Sequence, residues 1–150
     1  MPVIEAVGTA VPDYCLRQAD AKKLAARLFQ ALHLSVDRYL TVFDHAAIDE
    51  RYFCVPPEWF EDAHPFSEKN RLYVQAACEL GVQAAERCLA EARRSPEDVD
   101  HLIVVSSTGL STPSLDAHLL NRLPFRREIR RTPVWGLGCA GGAAGLTLAC

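Results

Sequence analysis

The chain carries the sequence VWGLGCAGGAAGL at residues 134–146, and this stretch decides how its fold is interpreted. The apolar run up to Leu137 predicts the end of a buried strand, and Gly136 and Gly138 permit a sharp turn. The small, mostly apolar residues after Cys139 predict a helix that is buried on all sides. Cys139 is therefore expected at a strand-to-helix turn.

A cysteine at such a turn has the setting of a nucleophile. The unpaired N–H groups at the start of a helix, together with the helix dipole, stabilise a thiolate. The small residues around Cys139 leave the backbone open to an approaching acyl group. They are Gly138, Ala140, Gly141 and Gly142. The alternative is that Cys139 is a small packing residue, since free cysteine is among the most buried residue types.

The composition predicts a globular protein with an ordinary core. The chain has 150 residues, of which 49% are hydrophobic and 23% charged, with a net charge of −3. This length predicts one domain, and the charge gives no basic excess that would suggest a nucleic acid or an anionic membrane as partner. No secretion signal or apolar run of membrane-spanning length is evident, so we expect a cytoplasmic protein without membrane insertion.

The six cysteines and five histidines show no metal-binding spacing. A Cys-x-x-Cys pair and a His-Glu-x-x-His cluster are both missing from the sequence, so no structural metal is expected. Disulfides are not expected either, because they form mainly in secreted proteins. Among the thiols, Cys139 alone has a reactive setting.

Alternating strand and helix patterns predict an α/β fold with a partly parallel sheet. The predicted strands are 3–7, 101–106 and 132–137, and the predicted helices are 20–32, 36–48, 67–92, 115–123 and the segment after Cys139. The run 101–106 has the composition of a parallel strand that is covered on both faces, in the middle of a sheet. Ligands collect at the carboxyl ends of such strands, where the loop 107–113 and Cys139 are both expected.

Three blocks of the sequence together resemble the type III polyketide synthases, the chalcone synthase-like family of the thiolase fold. They are RYF at 51–53 with PE at 57–58, STGLSTPSLD at 107–116, and WGLGCAGG at 135–142. The resemblance covers nearly the whole chain and implies the N-terminal half of a thiolase-like α/β fold, with a mostly parallel sheet flanked by helices. The GLGCAGG form is similar to bacterial enzymes that make alkylpyrones or alkylresorcinols.

The resemblance also assigns residues by position. Cys139 matches the cysteine that accepts the starter acyl group from its coenzyme A thioester. Ser107 and Thr108 match residues that line the cavity beside that cysteine. Thr112 matches a residue that reaches across a dimer interface into the partner's cavity, which implies a homodimer. For Ser107, Thr108 and Thr112 the alternative is loop capping and turn chemistry.

Arg38 matches one of the family's basic contacts to coenzyme A phosphates. Two companion basic positions of the plant enzymes are Thr41 and His45 in this chain. A solvent-exposed charge on a helix is therefore the alternative interpretation of Arg38.

The implied activity is that of an acyltransferase. An acyl-CoA starter is loaded on Cys139 and extended by decarboxylative condensation with malonyl-CoA to an alkylpyrone or alkylresorcinol. The implied substrates are therefore coenzyme A thioesters. The resemblance implies no cofactor and no metal. The family's catalytic histidine and asparagine belong to a C-terminal half that these 150 residues do not include. None of the chain's histidines matches that histidine; they are His33, His45, His64, His101 and His118. We therefore expect residues 1–150 to be the N-terminal part of such an enzyme, inactive in condensation alone.

Two alternatives remain at this point. A fatty-acid type β-ketoacyl-carrier-protein synthase shares the cysteine and the topology of this half but needs a phosphopantetheine carrier, and the loop followed by Asp116 favours the polyketide interpretation. The second is a non-catalytic fragment that pairs with another chain. The sequence does not specify the starter group, the number of extensions or the mode of cyclisation.

Overall fold

A computed structural model describes residues 1–31 and 36–150, which form two compact units. One unit comprises residues 1–10 and 66–150, and the other comprises residues 11–65. The elements in chain order are β1 (Tyr14–Arg17), α1 (Gln18–Ala31), α2 (Asp37–His45), β2 (Glu50–Phe53), α3 (Phe66–Ala92), β3 (His101–Ser106), α4 (Leu115–Leu120), β4 (Arg130–Trp135) and α5 (Gly141–Ala149). The expectations for Leu32 and His33 lie outside the described residues.

The unit of residues 11–65 combines two helices with an antiparallel strand pair. β1 pairs with β2, and Tyr14 lies opposite Phe53. The side-chain amide of Gln18 donates to the backbone carbonyl of Phe43 at 2.9 Å and accepts from Arg51 Nε at 2.8 Å, which joins α1, α2 and β2. The helices were predicted from their apolar periodicity. The strand β1 was not, because its four residues are too few to show an alternating pattern.

The larger unit contains the parallel strand pair that the sequence predicts. β3 and β4 run in register from His101 opposite Arg130 to Ser106 opposite Trp135. Their carboxyl ends therefore lie at the same edge, as the prediction required. The expectation that β3 is covered on both faces in the middle of a sheet is not met within the described residues. There β3 has one partner strand, and the Val105 side chain is exposed.

The helix α5 packs closely on β3 through two glycines. A Cβ atom added to Gly141 or Gly145 would lie 2.6 or 2.8 Å from the side chain of Val105, so only glycine permits this approach. The expectation that α5 is buried on all sides is wrong for the described structure. Residues 141 and 145 share one helical face, whereas Leu146 lies off it and is 61% exposed. Leu148, one turn beyond Gly145, is 50% exposed.

The long helix α3 lies beside the N-terminal segment and α4. The strand predicted at 3–7 is wrong, because this segment pairs with no strand among the described residues and lies instead along α3. Its contacts are with side chains of that helix and of the turn after it: Cys88 Sγ lies 3.6 Å from the Ala6 carbonyl oxygen, and Arg94 binds Glu5 at 3.2 Å. The guanidinium of Arg94 also lowers the pKa of the Glu5 carboxyl. None of the described helices is long and apolar enough to span a membrane.

Candidate active site

Cys139 lies on an exposed turn between β4 and α5. The strand ends at Trp135, and Gly136 and Gly138 then adopt left-handed φ angles of 82° and 52°, a conformation that strongly favours glycine. Cys139 occupies the short 3-10 turn Gly138–Ala140 that leads directly into α5. The predicted strand-to-helix placement is therefore confirmed. Because the residue is exposed, it is not a buried packing cysteine in the described structure.

Cys78 contrasts with Cys139 in its accessibility. Its side chain lies inside the larger unit, and the residue is only 1% exposed. Burial raises the pKa of the Cys78 thiol; the charge of Arg122 opposes this effect and that of Glu79 adds to it. A buried thiol with a raised pKa is a poor nucleophile, so Cys78 is a poor candidate for the acyl-accepting cysteine.

The loop between β3 and α4, residues 107–114, lies against the turn that carries Cys139. The Ser107 hydroxyl accepts a hydrogen bond from the Gly138 backbone N–H at 3.0 Å. The Gly136 N–H donates to the Ser106 carbonyl at 3.4 Å, one residue beyond the end of the ladder. The structure thus brings Ser107 to the residue directly before Cys139.

The middle of the same loop is held from two sides. The Trp135 indole N–H donates to the Gly109 carbonyl at 2.9 Å. On the α3 side, the Asn70 side-chain amide donates to the Leu110 carbonyl and accepts from the Leu110 N–H, both at 2.8 Å. Tyr73 adds a hydroxyl contact to Ser106, and its ring lies so close to Gly109 that a Cβ atom there would collide with it.

Thr108 and Thr112 lie on this loop with exposed side chains. Thr112 precedes a cis peptide bond to Pro113 and borders a polar cleft of about 520 Å³, which Arg71, His118 and Arg122 also line. Neither threonine hydroxyl makes a hydrogen bond with the described residues that would explain it as a loop cap. Their assignment as cavity and interface residues stays a prediction.

Arg38 is exposed on α2 and belongs to the unit of residues 11–65. Its backbone carbonyl accepts a hydrogen bond from the Thr41 hydroxyl at 2.7 Å. The contact between Arg38 and coenzyme A remains a prediction.

An ion pair that the sequence did not predict ties α4 to β4. Asp116 is 1% exposed, and its Oδ2 accepts from Arg131 Nη1 at 3.2 Å. Its other oxygen, Oδ1, has no hydrogen-bond partner among the described residues. Asp116 lies in the first turn of α4, just after the loop 107–114, and Arg131 lies on the strand leading to Cys139. The ion pair therefore connects the segments on both sides of the site.

The contacts that Asn70 and Tyr73 make with this loop were also missed. Asn70 lies 40 residues before Leu110, at the start of a long helix where polar residues are typical of a solvated face. Tyr73 belongs to the apolar periodicity that predicts the inward face of the helix 67–92, but periodicity does not identify the loop that a side chain contacts.

The parallel strand pair and the exposed cysteine turn at its carboxyl edge place the chain in the thiolase-like class of α/β proteins. Solved structures agree: the chain superimposes with a TM-score of 0.82 on PKS-I from the brown alga Ectocarpus siliculosus, at 27% identity over 98% of this chain and 42% of that one. The fungal type III polyketide synthase ORAS has the same fold, with a TM-score of 0.81 at 24% identity.

The chain belongs to the family described as "Chalcone and stilbene synthases, N-terminal domain", whose profile matches residues 1–150. It is 40% identical to a putative chalcone synthase of Bacillus subtilis (strain 168), over 99% of this chain and 42% of that protein. It is 36% identical to a 1,3,6,8-tetrahydroxynaphthalene synthase of Streptomyces peucetius subsp. caesius, over 95% of this chain and 38% of that protein. The chain therefore spans about two fifths of the length of these curated relatives.

Proposed function

We propose that this chain is the nucleophile-bearing, N-terminal part of a type III polyketide synthase, an acyltransferase that loads acyl groups on Cys139. The observation that carries the proposal is the exposed Cys139, on a glycine turn that the Ser107 hydroxyl holds at the carboxyl edge of a parallel strand pair. Membership of the family supports it.

The first step is transfer of the starter acyl group. The Cys139 thiolate attacks the carbonyl carbon of an acyl-CoA, the carbon–sulfur bond to coenzyme A breaks, and coenzyme A leaves as its thiolate. The exposed turn permits this attack because no bulky side chain precedes or follows the cysteine. Covalent capture divides a difficult condensation into easier steps.

The second step is extension. Malonyl-CoA loses carbon dioxide to give an enolate, whose carbon attacks the Cys139 thioester and displaces the Cys139 thiolate. Hydrogen-bond donors must stabilise the thioester oxygen and the enolate, and loss of one such donor typically costs about 10²–10³ in rate. We place the donors, a histidine and an asparagine by resemblance to the family, in the additional sequence that the longer relatives have. Residues 1–150 alone are then expected to accept acyl groups without making polyketide.

The proposed substrates are an acyl-CoA and malonyl-CoA, and the proposed products are alkylpyrones or alkylresorcinols, all by resemblance to the family. Arg38 is assigned to the coenzyme A phosphates, and Ser107 and Thr108 to the walls of the acyl cavity. A carrier-protein thioester as acyl donor would instead indicate the fatty-acid type of synthase.

The proposed assembly is a cytoplasmic homodimer in which Thr112 reaches the partner's cavity. Its exposed side chain, which has no hydrogen bond to residues 1–31 or 36–150, supports this assignment. Thr112→Phe should then change product length more than stability, with Ser111→Ala in the same loop as the control. A monomer in sedimentation velocity, or an unchanged product spectrum, would contradict it.

The decisive experiment follows acyl transfer by intact-protein mass spectrometry. The protein, extended by whatever sequence continues it in its gene, is incubated with a long-chain acyl-CoA, and in parallel with the same acyl group on an acyl carrier protein. We expect an adduct from acyl-CoA that Cys139→Ala abolishes. Acylation from the carrier protein alone would favour the fatty-acid type, and no adduct from either donor would favour a non-catalytic pairing fragment.

A further inference from the structure

The side chains of Asn70 and Tyr73 on α3 contact the first half of the loop 107–114 and the strand residue before it. Residues three apart in a helix lie on the same face. Tyr73 contacts Ser106 and Gly109, and Asn70 pairs with Leu110. Both side chains therefore meet the loop where it leaves β3.

The Asn70 contact fixes the loop backbone in both position and orientation. One amide group satisfies the N–H and the C=O of the same residue, Leu110, at 2.8 Å each. A single hydrogen bond would let the peptide rotate about the contact, whereas two parallel bonds to one residue do not. The Leu110 side chain is 54% exposed, so packing does not hold it in place. The amide supplies the restraint that apolar burial does not.

Two further described anchors of this part of the loop come from the end of β4 and from the turn that carries Cys139. Trp135 donates to the Gly109 carbonyl, and the Gly138 N–H donates to the Ser107 hydroxyl. The loop and the cysteine turn are thus joined to each other, and Asn70 joins the pair to α3. Tyr73 also contacts the start of the loop, so releasing Asn70 removes the two hydrogen bonds between α3 and Leu110 and loosens the loop and the turn at that point.

We infer that Asn70 is a positioning residue for the reaction at Cys139. It fixes the position of the loop 107–114 relative to α3, and the bonds of Ser107 and Trp135 extend this restraint to the turn that carries Cys139. The inference rests on the proposed function for its effect on rate. Asn70 touches no reacting atom. A displacement of about 1 Å in such a supporting element can cost up to about 10²-fold in rate, because the reacting groups leave their aligned geometry.

The first test needs no catalysis. Hydrogen–deuterium exchange is compared between wild type and Asn70→Leu in peptides covering 107–114 and 136–140. The matched control is Gln75→Leu, which removes an amide of the same helix whose bond goes to Glu79 on the surface. We expect faster exchange in both peptides for Asn70→Leu and in neither for Gln75→Leu. Faster exchange in 107–114 alone would overturn the inference, because the turn would then not depend on Asn70.

The second test measures acyl loading of Cys139 and turnover in the full-length protein. We expect the rate for Asn70→Leu to fall about tenfold, mainly in kcat rather than in KM, while Gln75→Leu keeps the wild-type rate. Asn70→Asp keeps the acceptor for the Leu110 N–H and should lie between them. An unchanged rate in Asn70→Leu, or an equal loss in Gln75→Leu, contradicts the inference.

The two tests separate this inference from the proposed function. If wild-type Cys139 takes up no acyl group, the proposed function fails, and the exchange experiment still decides whether Asn70 positions the turn. If Asn70→Leu does not fold, Asn70→Asp is judged by the same criteria in both experiments.

Discussion

The Ser107 hydroxyl accepts a hydrogen bond from the Gly138 backbone N–H at 3.0 Å, which joins the loop after β3 to the residue before Cys139. Ser107→Ala removes this acceptor and leaves the Gly138 N–H to water. We expect slower acylation of Cys139 and a loss of about 0.5–1.5 kcal/mol in unfolding free energy. Stopped-flow acylation and urea denaturation measure the two effects.

Ser107→Thr is the matched control, because it keeps a hydroxyl at the same position. It should retain most of the acylation rate. Equal losses in the alanine and threonine variants would show that size, and not the hydrogen bond, governs the turn.

Cys139 and Cys78 should differ in their reaction with iodoacetamide. Cys139 is exposed, whereas Cys78 is 1% exposed and burial raises its pKa. Peptide mass spectrometry at limiting reagent should therefore find Cys139 modified before Cys78 under native conditions, with the difference abolished in urea. Modification of Cys78 first, with Cys139 inert, would refute the assignment of the nucleophile.

Two glycines of α5, Gly145 and Gly142, should respond in opposite ways to substitution by alanine, because only Gly145 lies close to a side chain of β3. Gly145→Ala places a Cβ 2.8 Å from Val105, and a β-branched side chain in the sheet yields little space. We expect a net loss of about 1 kcal/mol, since strain of about 1–3 kcal/mol exceeds the gain in helix propensity.

Gly142→Ala is the control, because a Cβ there meets nothing within 4 Å. It should stabilise the protein by about 0.5–1 kcal/mol, since alanine replaces glycine inside a helix without strain. Thermal denaturation of both variants decides the matter. A stability change of the same sign in both would contradict the described packing of α5 on β3.

The ion pair between Asp116 and Arg131 should be needed for stability. Arg131→Met leaves the buried carboxylate of Asp116 without its cation, a change that costs about 3–5 kcal/mol in fully buried pairs. Because the Arg131 side chain is 40% exposed, water compensates in part, and we expect about 2 kcal/mol.

Arg127→Met, at an exposed arginine four positions earlier, should change stability by no more than about 0.5 kcal/mol. Urea denaturation of the two variants gives the comparison. Equal stability of Arg131→Met and Arg127→Met would show that the pair contributes nothing.

The sequence predicted the elements whose signals are local. The helix 67–92 and the strand 101–106 have long periodic or β-branched runs, and the glycines at 136 and 138 marked the turn that carries Cys139. These features depend on neighbouring residues, and the structure confirms them.

The remaining features depend on contacts between distant parts of the chain. An apolar run at 3–7 suits a strand, but strand formation also needs a partner, and the described segment lies along α3. The two hydrogen bonds between Asn70 and Leu110 join residues 40 positions apart. The burial of α5 depends on what covers each face, which its own composition does not encode.

Acylation of Cys139 by coenzyme A thioesters is tested most directly by the intact mass of residues 1–150 after incubation with a long-chain acyl-CoA. We expect a single acyl adduct that maps to Cys139 and is absent from Cys139→Ala. An adduct that persists in folded Cys139→Ala, or none on the folded wild-type protein, would contradict it.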